Sequence, residues 1–186
     1  MKETRAFIAI PLPATLREQL AQLQQLLRRK MPGLRTGAAE NLHLTLNFLG
    51  EQSDEQLAKI RHFMLSIADS HAPFSLILQG LGTFPEGRRP RVVWLGVQPP
   101  EPLLDMQKQL AEGLVKLGCS EEKTPYRAHL TLGRFRRPPA DIGALHDWQA
   151  PGFDPLQVKS IVLYSSRLTP QGAVHQPLTV AKLHRP

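Results

Sequence analysis

The chain has a single cysteine among its 186 residues. Cys119 therefore has no partner for an internal disulfide and belongs to no Cys-x-x-C pair that could bind metal or run redox chemistry, so a buried or spare thiol is expected. Long apolar runs are missing too: "FIAIPL" (7–12) is far shorter than the roughly 20 residues a membrane helix needs. The start, "MKETRAFIAIPLP", has an acidic residue beside its first lysine and prolines in a short apolar stretch. That pattern does not suit a secretory signal, and a cytoplasmic protein is expected. No Gly/Ser linker, charge block or low-complexity tract divides the chain.

Several catalytic signatures are also absent. There is no Gly-x-Ser-x-Gly, no His-Glu-x-x-His and no Lys-x-Asp-Gly, which removes the serine-hydrolase elbow, the zinc-protease helix and the lysyl-adduct ligase. "GTFPEGRR" (82–89) has the glycines of a phosphate loop but lacks the Lys-Ser/Thr and the following helix, so it reads as a hairpin turn. Acidic residues are outnumbered, 16 against 23 Lys and Arg, giving a net charge of +7. The average field attracts anions, of which nucleic acid is the commonest large one in the cytoplasm. Charge alone does not identify a ligand.

What is present is an ordered set of periodic segments. "RAFIAI" (5–10) alternates as a strand, and residues 13–31 carry Leu16, Leu20, Leu23 and Leu27 on one helical face, stopped by "MPG". A strand around His43 is followed by a helix over 53–71, for which Ser53 is a suitable N-cap with acidic residues in the first turn. Strands are expected at 74–84 and 91–97, separated by the turn "PEGRRP", and then a helix over about 101–117. After a second histidine strand the chain reads as loop with one short helix around 141–148. Strands at 156–167 and 173–183, joined by "TPQG", close it.

The order repeats. His43 and His129 are 86 residues apart (129 − 43 = 86), and the same offset lays "RAFIAIPLP" (5–13) on "RVVWLGVQP" (91–99), Arg5 on Arg91 and Pro13 on Pro99. Residues 1–186 are expected to form one bilobal α+β domain from two related halves, with histidine strands at 41–49 and 127–135.

Both histidine strands contain His-Leu-Thr-Leu, "NLHLTLNFLG" and "RAHLTLGRF". The chain's own residue frequencies predict roughly 0.01 copies of that string. In a strand, alternate side chains face opposite ways, so His43 and Thr45 share one face, His129 and Thr131 another, and Leu44, Leu46, Leu130 and Leu132 pack behind them. Related about a pseudo-twofold axis, the two polar pairs would meet across a groove. One histidine would then remove a proton while the other supplies one, and the threonine hydroxyls would donate to phosphate oxygens between them. No metal or other cofactor is needed for that chemistry. The blander alternative is a duplicated structural strand whose histidines are satisfied where they stand.

These motifs and their flanks, "RAFIAIPLP", "NLHLTLNFLGE", "RVVWLGV" and "RAHLTLGR", make the sequence similar over nearly its whole length to the two-histidine phosphoesterase superfamily. Its mark is one His-x-Thr-x motif in each half of a bilobal α+β fold, and the branch most alike is that of RNA 2′,3′-cyclic phosphodiesterases, also called 2′-5′ RNA ligases. The resemblance implies a monomer that needs no cofactor and opens 2′,3′-cyclic phosphate ends of RNA to 2′-phosphomonoesters, with reversible 2′-5′ ligation as a related reaction. It makes His43 the proton donor, His129 the proton acceptor, and Thr45 and Thr131 the phosphate ligands. Ala128 departs from the proline often found before the second histidine. Other readings are a phosphodiesterase of small cyclic nucleotides or 2′-5′ oligonucleotides, and an RNA-binding module without turnover.

Three further substrate contacts are candidates. Arg134 lies at His plus five, off the histidine face by strict alternation. Phe48, its counterpart (48 + 86 = 134), is either a stacking surface for a base or a core residue. Arg127, with Arg136, Arg137, Arg88, Arg89 and Arg91, would line a basic path for RNA or be scattered surface charge. His62, His71, His146, His175 and His184 have no partner pattern and are read as surface or structural.

Overall fold

The computed structural model describes residues 3–86, 89–137, 139, 152–170 and 172–184. Their elements, in chain order, are β1 (Glu3–Pro11), α1 (Ala14–Lys30), β2 (Leu34–Arg35), a 3₁₀ turn (Ala39–Asn41), β3 (His43–Ser53) and α2 (Asp54–Asp69). There follow β4 (Phe74–Phe84), β5 (Val92–Gln98), α3 (Glu101–Lys116), β6 (His129–Phe135), β7 (Leu156–Val158), β8 (Ser160–Thr169) and β9 (Gly172–Lys182). The expected helix at 141–148 falls outside the described residues.

The helices form where the sequence supplies an apolar stripe. Leu16, Leu20, Leu23 and Leu27 of α1 are all buried, as are Ile60, Met64 and Ile67 of α2 and Leu103, Met106, Leu110 and Leu114 of α3. Ser53 caps α2 by accepting the Gln56 amide at 3.2 Å, with Asp54 and Glu55 in the first turn. Cys119 is buried, and burial pushes its thiol pKa upward. No helix is long and apolar enough to cross a membrane among the described residues.

The strands are antiparallel throughout and follow the order β7-β4-β5-β6-β3-β1-β8-β9, with β2 beside β6. The architecture is therefore α+β with an antiparallel sheet. At its centre Leu44 of β3 pairs with Leu130 of β6, two residues 86 apart (130 − 44 = 86) and both fully buried. The same offset maps β1 onto β5 and β4 onto β8, yet β4 pairs with β5 and β8 with β1. Counted outward from the centre, each side of the sheet thus takes its third strand, β4 or β8, from the other half of the sequence.

The expected single strand over 156–167 is two strands with different partners. β7 pairs with β4, and β8, after the break at Lys159, pairs with β1 and β9. An unbroken β-rich run conceals that change because the choice of partner is not local. The last turn falls at Thr169–Gly172 as "TPQG" suggests, with Gly172 at φ +129°.

Candidate active site

Leucines 44, 46, 130 and 132 point into the core, while His43, Thr45, His129 and Thr131 remain partly exposed on the opposite face. β3 and β6 meet antiparallel at Leu44 and Leu130, which brings the two motifs side by side in one sheet.

The two imidazoles are held alike. The Nδ1–H of His43 donates to the Asn41 carbonyl at 2.6 Å, and that of His129 to the Arg127 carbonyl at 2.7 Å. A carbonyl only accepts, so each bond fixes the tautomer and leaves Nε2 as the nitrogen free to exchange a proton. Burial lowers the pKa of both histidines, that of His43 to about 4, against the opposing effect of the carbonyl bond; His175 lowers His43 further. At His129 the Arg134 and Arg127 guanidiniums add to the lowering by burial. In the free protein both rings are neutral at pH 7.

Arg134 and Phe48 reach this face through bulges. On β5, Gly96, Trp94 and Val92 share one face and pair with His129, Thr131 and Arg134; the ladder slips between Val93 and Trp94, leaving Leu132 unpaired. That extra residue returns Arg134 to the histidine side, correcting the expectation from strict alternation. Likewise Ala9 pairs with Thr45 and Phe7 with Phe48, leaving Leu46 unpaired. Phe48 is 61% exposed, so it is no core residue. Arg127 is engaged: its Nη1 lies 2.7 Å from Glu86 and its guanidinium 5.5 Å from the centre of the Phe84 ring. Arg89, Arg91, Arg136 and Arg137 are exposed, and the Arg91 amide donates to the Phe84 carbonyl at 2.8 Å to close the β4–β5 turn. Arg88 and His146 lie outside the described residues.

Aromatic rings flank both histidines. Phe7 stacks on His43 (centroids 4.6 Å apart) and on Tyr164 (5.2 Å). His175 meets His43 edge-on at 5.3 Å, so it stands beside the first motif, a place its sequence context does not indicate. Its partner lies 132 residues earlier (175 − 43 = 132) and meets it only through the β9–β8–β1–β3 ladder, a relation no local pattern reveals. On the other side Phe84 contacts His129 edge-on at 5.0 Å, and the Trp94 indole lies over Gly82. A Cβ at Gly82 would come within 2.2 Å of that indole, so glycine is what lets the ring lie flat on the sheet. His71 is structural, donating from Nδ1 to the Ile67 carbonyl at 2.8 Å, with Nε2 3.4 Å from Asp105; His62 and His184 are exposed.

A separate cavity of about 470 Å³ lies between the start of α1 and the β7–β8 segment, lined by Leu12, Thr15, Gln19, Asp154 and Lys159 among others. It contains neither motif. Convergence of titrating groups, not concavity, marks the candidate site.

Residues 12–168 match the model of the 2′-5′ RNA ligase superfamily. The chain is 33% identical over 187 residues to an RNA 2′,3′-cyclic phosphodiesterase of Methanothermobacter thermautotrophicus, covering 97% of this chain and 100% of that one. It is 34% identical to the protein of that name from Escherichia coli, covering 94% and 93%. Among solved structures, E. coli LigT complexed with 3′-AMP superposes with a TM-score of 0.83 at 33% identity, over 99% of this chain and 100% of that one.

Proposed function

The chain belongs to the 2′-5′ RNA ligase superfamily, and from that premise we propose that it is an RNA 2′,3′-cyclic phosphodiesterase that hydrolyses cyclic phosphate ends to 2′-phosphomonoesters at the paired His-x-Thr strands. The observation that carries this reading is the Leu44–Leu130 pairing, which joins the two motifs on one sheet face.

In the proposed reaction Thr45 and Thr131 donate to the non-bridging oxygens of the cyclic phosphate. The Nε2 of His129 takes a proton from water as its oxygen bonds to phosphorus. The bond from phosphorus to the 3′ oxygen breaks in line, and that oxygen receives its proton from Nε2 of His43. A 5′-hydroxyl in place of water yields a 2′-5′ linkage by the same steps, in keeping with the superfamily's description.

The surroundings of the two rings favour this division of roles. An anionic phosphate raises the pKa of any adjacent histidine. At His129 the Arg127 and Arg134 guanidiniums oppose that rise and keep a neutral base. His43 has no arginine among the groups that shift it, so the phosphate can charge it. The ribose then lies on the His43 side, within reach of exposed Phe48, and Arg134 lies on the water side. The substrate is RNA, and the protein is a cytoplasmic monomer in this reading.

The test is to incubate an oligoribonucleotide ending in 2′,3′-cyclic phosphate, with chelator present, with wild type, His43→Ala and His129→Ala. Wild type converts the end and each variant loses at least about 10²-fold in kcat, the lower range for one positioned acid or base. An intact end with wild type, or a variant equal to wild type, overturns the proposal.

A further inference from the structure

His175 has no assigned part in the chemistry above, yet it is built into the acid side of the site. Its ring stands edge-on to both His43 (5.3 Å, 86° between planes) and Phe7 (4.9 Å, 81°), while Phe7 lies parallel to His43. His43 is therefore packed by the face of one ring and the edge of another. The backbone that carries His175 is tied to the same point: Asn41 accepts the His43 Nδ1–H through its carbonyl and donates its side-chain amide to the Ala173 carbonyl at 2.6 Å. Pairing of His175 with Ser166, two residues beyond Tyr164 on β8, puts it on the sheet face of Phe7, Thr45 and His43.

His175 also differs from the other two rings. Its Nδ1 is buried without a hydrogen-bond partner among the described residues, where His43 and His129 each donate to a carbonyl. Nothing fixes its tautomer, and a second imidazole stands in contact range of the first.

We propose that His175 is a positioning residue for the acid: held edge-on against His43, it competes with that ring for a single proton and so adds to burial in keeping His43 uncharged below neutral pH until an anionic phosphate occupies the cleft. The proposal rests on the reading of His43 as proton donor. Two imidazoliums at this separation repel, and interacting sites of this kind take up protons as a pair. The other groups facing the two rings are Phe7 from β1, Tyr164 from β8 and the Asn41 carbonyl from the 3₁₀ turn. Of these only Tyr164 titrates; burial pushes its phenol up, against Arg17 of α1, so it is neutral throughout the range in which the histidines charge.

The experiment compares wild type with His175→Phe, which keeps a ring to pack on Phe7 and removes both nitrogens, and with His175→Asn as a second variant. Thermal melting establishes that each is folded. The C–H resonances of His43 are titrated by NMR without substrate, and kcat/KM for the cyclic-ended oligonucleotide is followed from pH 4.5 to 8.5. Removing a unit charge about 5 Å away at an effective dielectric between about 20 and 80 raises the His43 midpoint by about half to two pH units. The ratio of kcat/KM near pH 5 to that above pH 7 rises about three- to tenfold, because above pH 7 His175 is neutral in wild type too. A purely packing role leaves the His43 midpoint unmoved in the phenylalanine variant, and that result overturns the proposal. Absence of turnover in wild type defeats the proposed function instead, and the NMR titration still decides the coupling.

Discussion

The pH dependence of kcat/KM follows from the site's electrostatics and can be worked through. The perturbation is pH alone, between 6.5 and 8.5. In the free protein the His43 midpoint is about 4, so at pH 7 it lies three units below and roughly one molecule in a thousand carries the proton the acid must supply. Above 6.5 His129, whose midpoint is also lowered, is already the neutral base and contributes no further slope. The profile of kcat/KM reports the free enzyme, so it falls about tenfold for each pH unit over this range. In the complex the balance changes: an anionic phosphate about 4 Å from His43 at an effective dielectric of about 20 is worth about 4 kcal/mol, or about three pH units. That brings the acid close to neutrality, so kcat stays nearly level to about pH 7 while kcat/KM declines. The assay is steady-state hydrolysis of a cyclic-ended oligonucleotide at constant ionic strength. A kcat/KM that is level or rising from pH 6.5 to 8.5 refutes the assignment of His43 as a charged acid.

Two further outcomes follow. Arg134→Ala removes a charge that bears on His129 and faces the proposed phosphate position, so the His129 midpoint rises in an NMR titration. kcat/KM falls about 10- to 100-fold, the equivalent of one charge-assisted hydrogen bond. Stability decreases as pH falls from 7 toward 4, because His43, His129 and His175 have folded-state pKa values below their unfolded ones. The unfolded chain therefore takes up protons first as pH drops through about 6.5. Urea unfolding across that range should show His43 alone accounting for about 2–3 kcal/mol, with the slope reduced in His43→Gln.

Much of this site is written locally. The alternation His-Leu-Thr-Leu states which side chains pack and which do not, and the leucine stripes of α1 and α3 need only a hydrophobic surface to dock on. What escaped a reading of the sequence depends on partners distant along the chain. Leu46 and Leu132 look like ordinary strand residues, but each is left unpaired by its neighbour and thereby turns Phe48 and Arg134 onto the histidine face. The β7–β8 break is invisible for the same reason, since a strand's residues do not say which edge they join. His175 carries no local signal, because its environment is assembled by four strands and no motif surrounds it. The offset of 86 relates Leu44 to Leu130, which pair at the middle of the sheet, whereas the exchange of β4 and β8 between the two sides is a property of the folded sheet alone.

The central claim is that two histidines on adjacent strands pass a water across a cyclic phosphate with departure of the 3′ oxygen. Hydrolysis of a 2′,3′-cyclic-ended oligonucleotide in ¹⁸O-water, with the product resolved by ³¹P NMR and mass spectrometry, tests it directly. The account predicts a 2′-phosphomonoester carrying one ¹⁸O, formed by wild type in the presence of chelator and lost in His43→Ala and His129→Ala. A 3′-phosphate product, or a 2′-phosphate formed equally well by either variant, contradicts it.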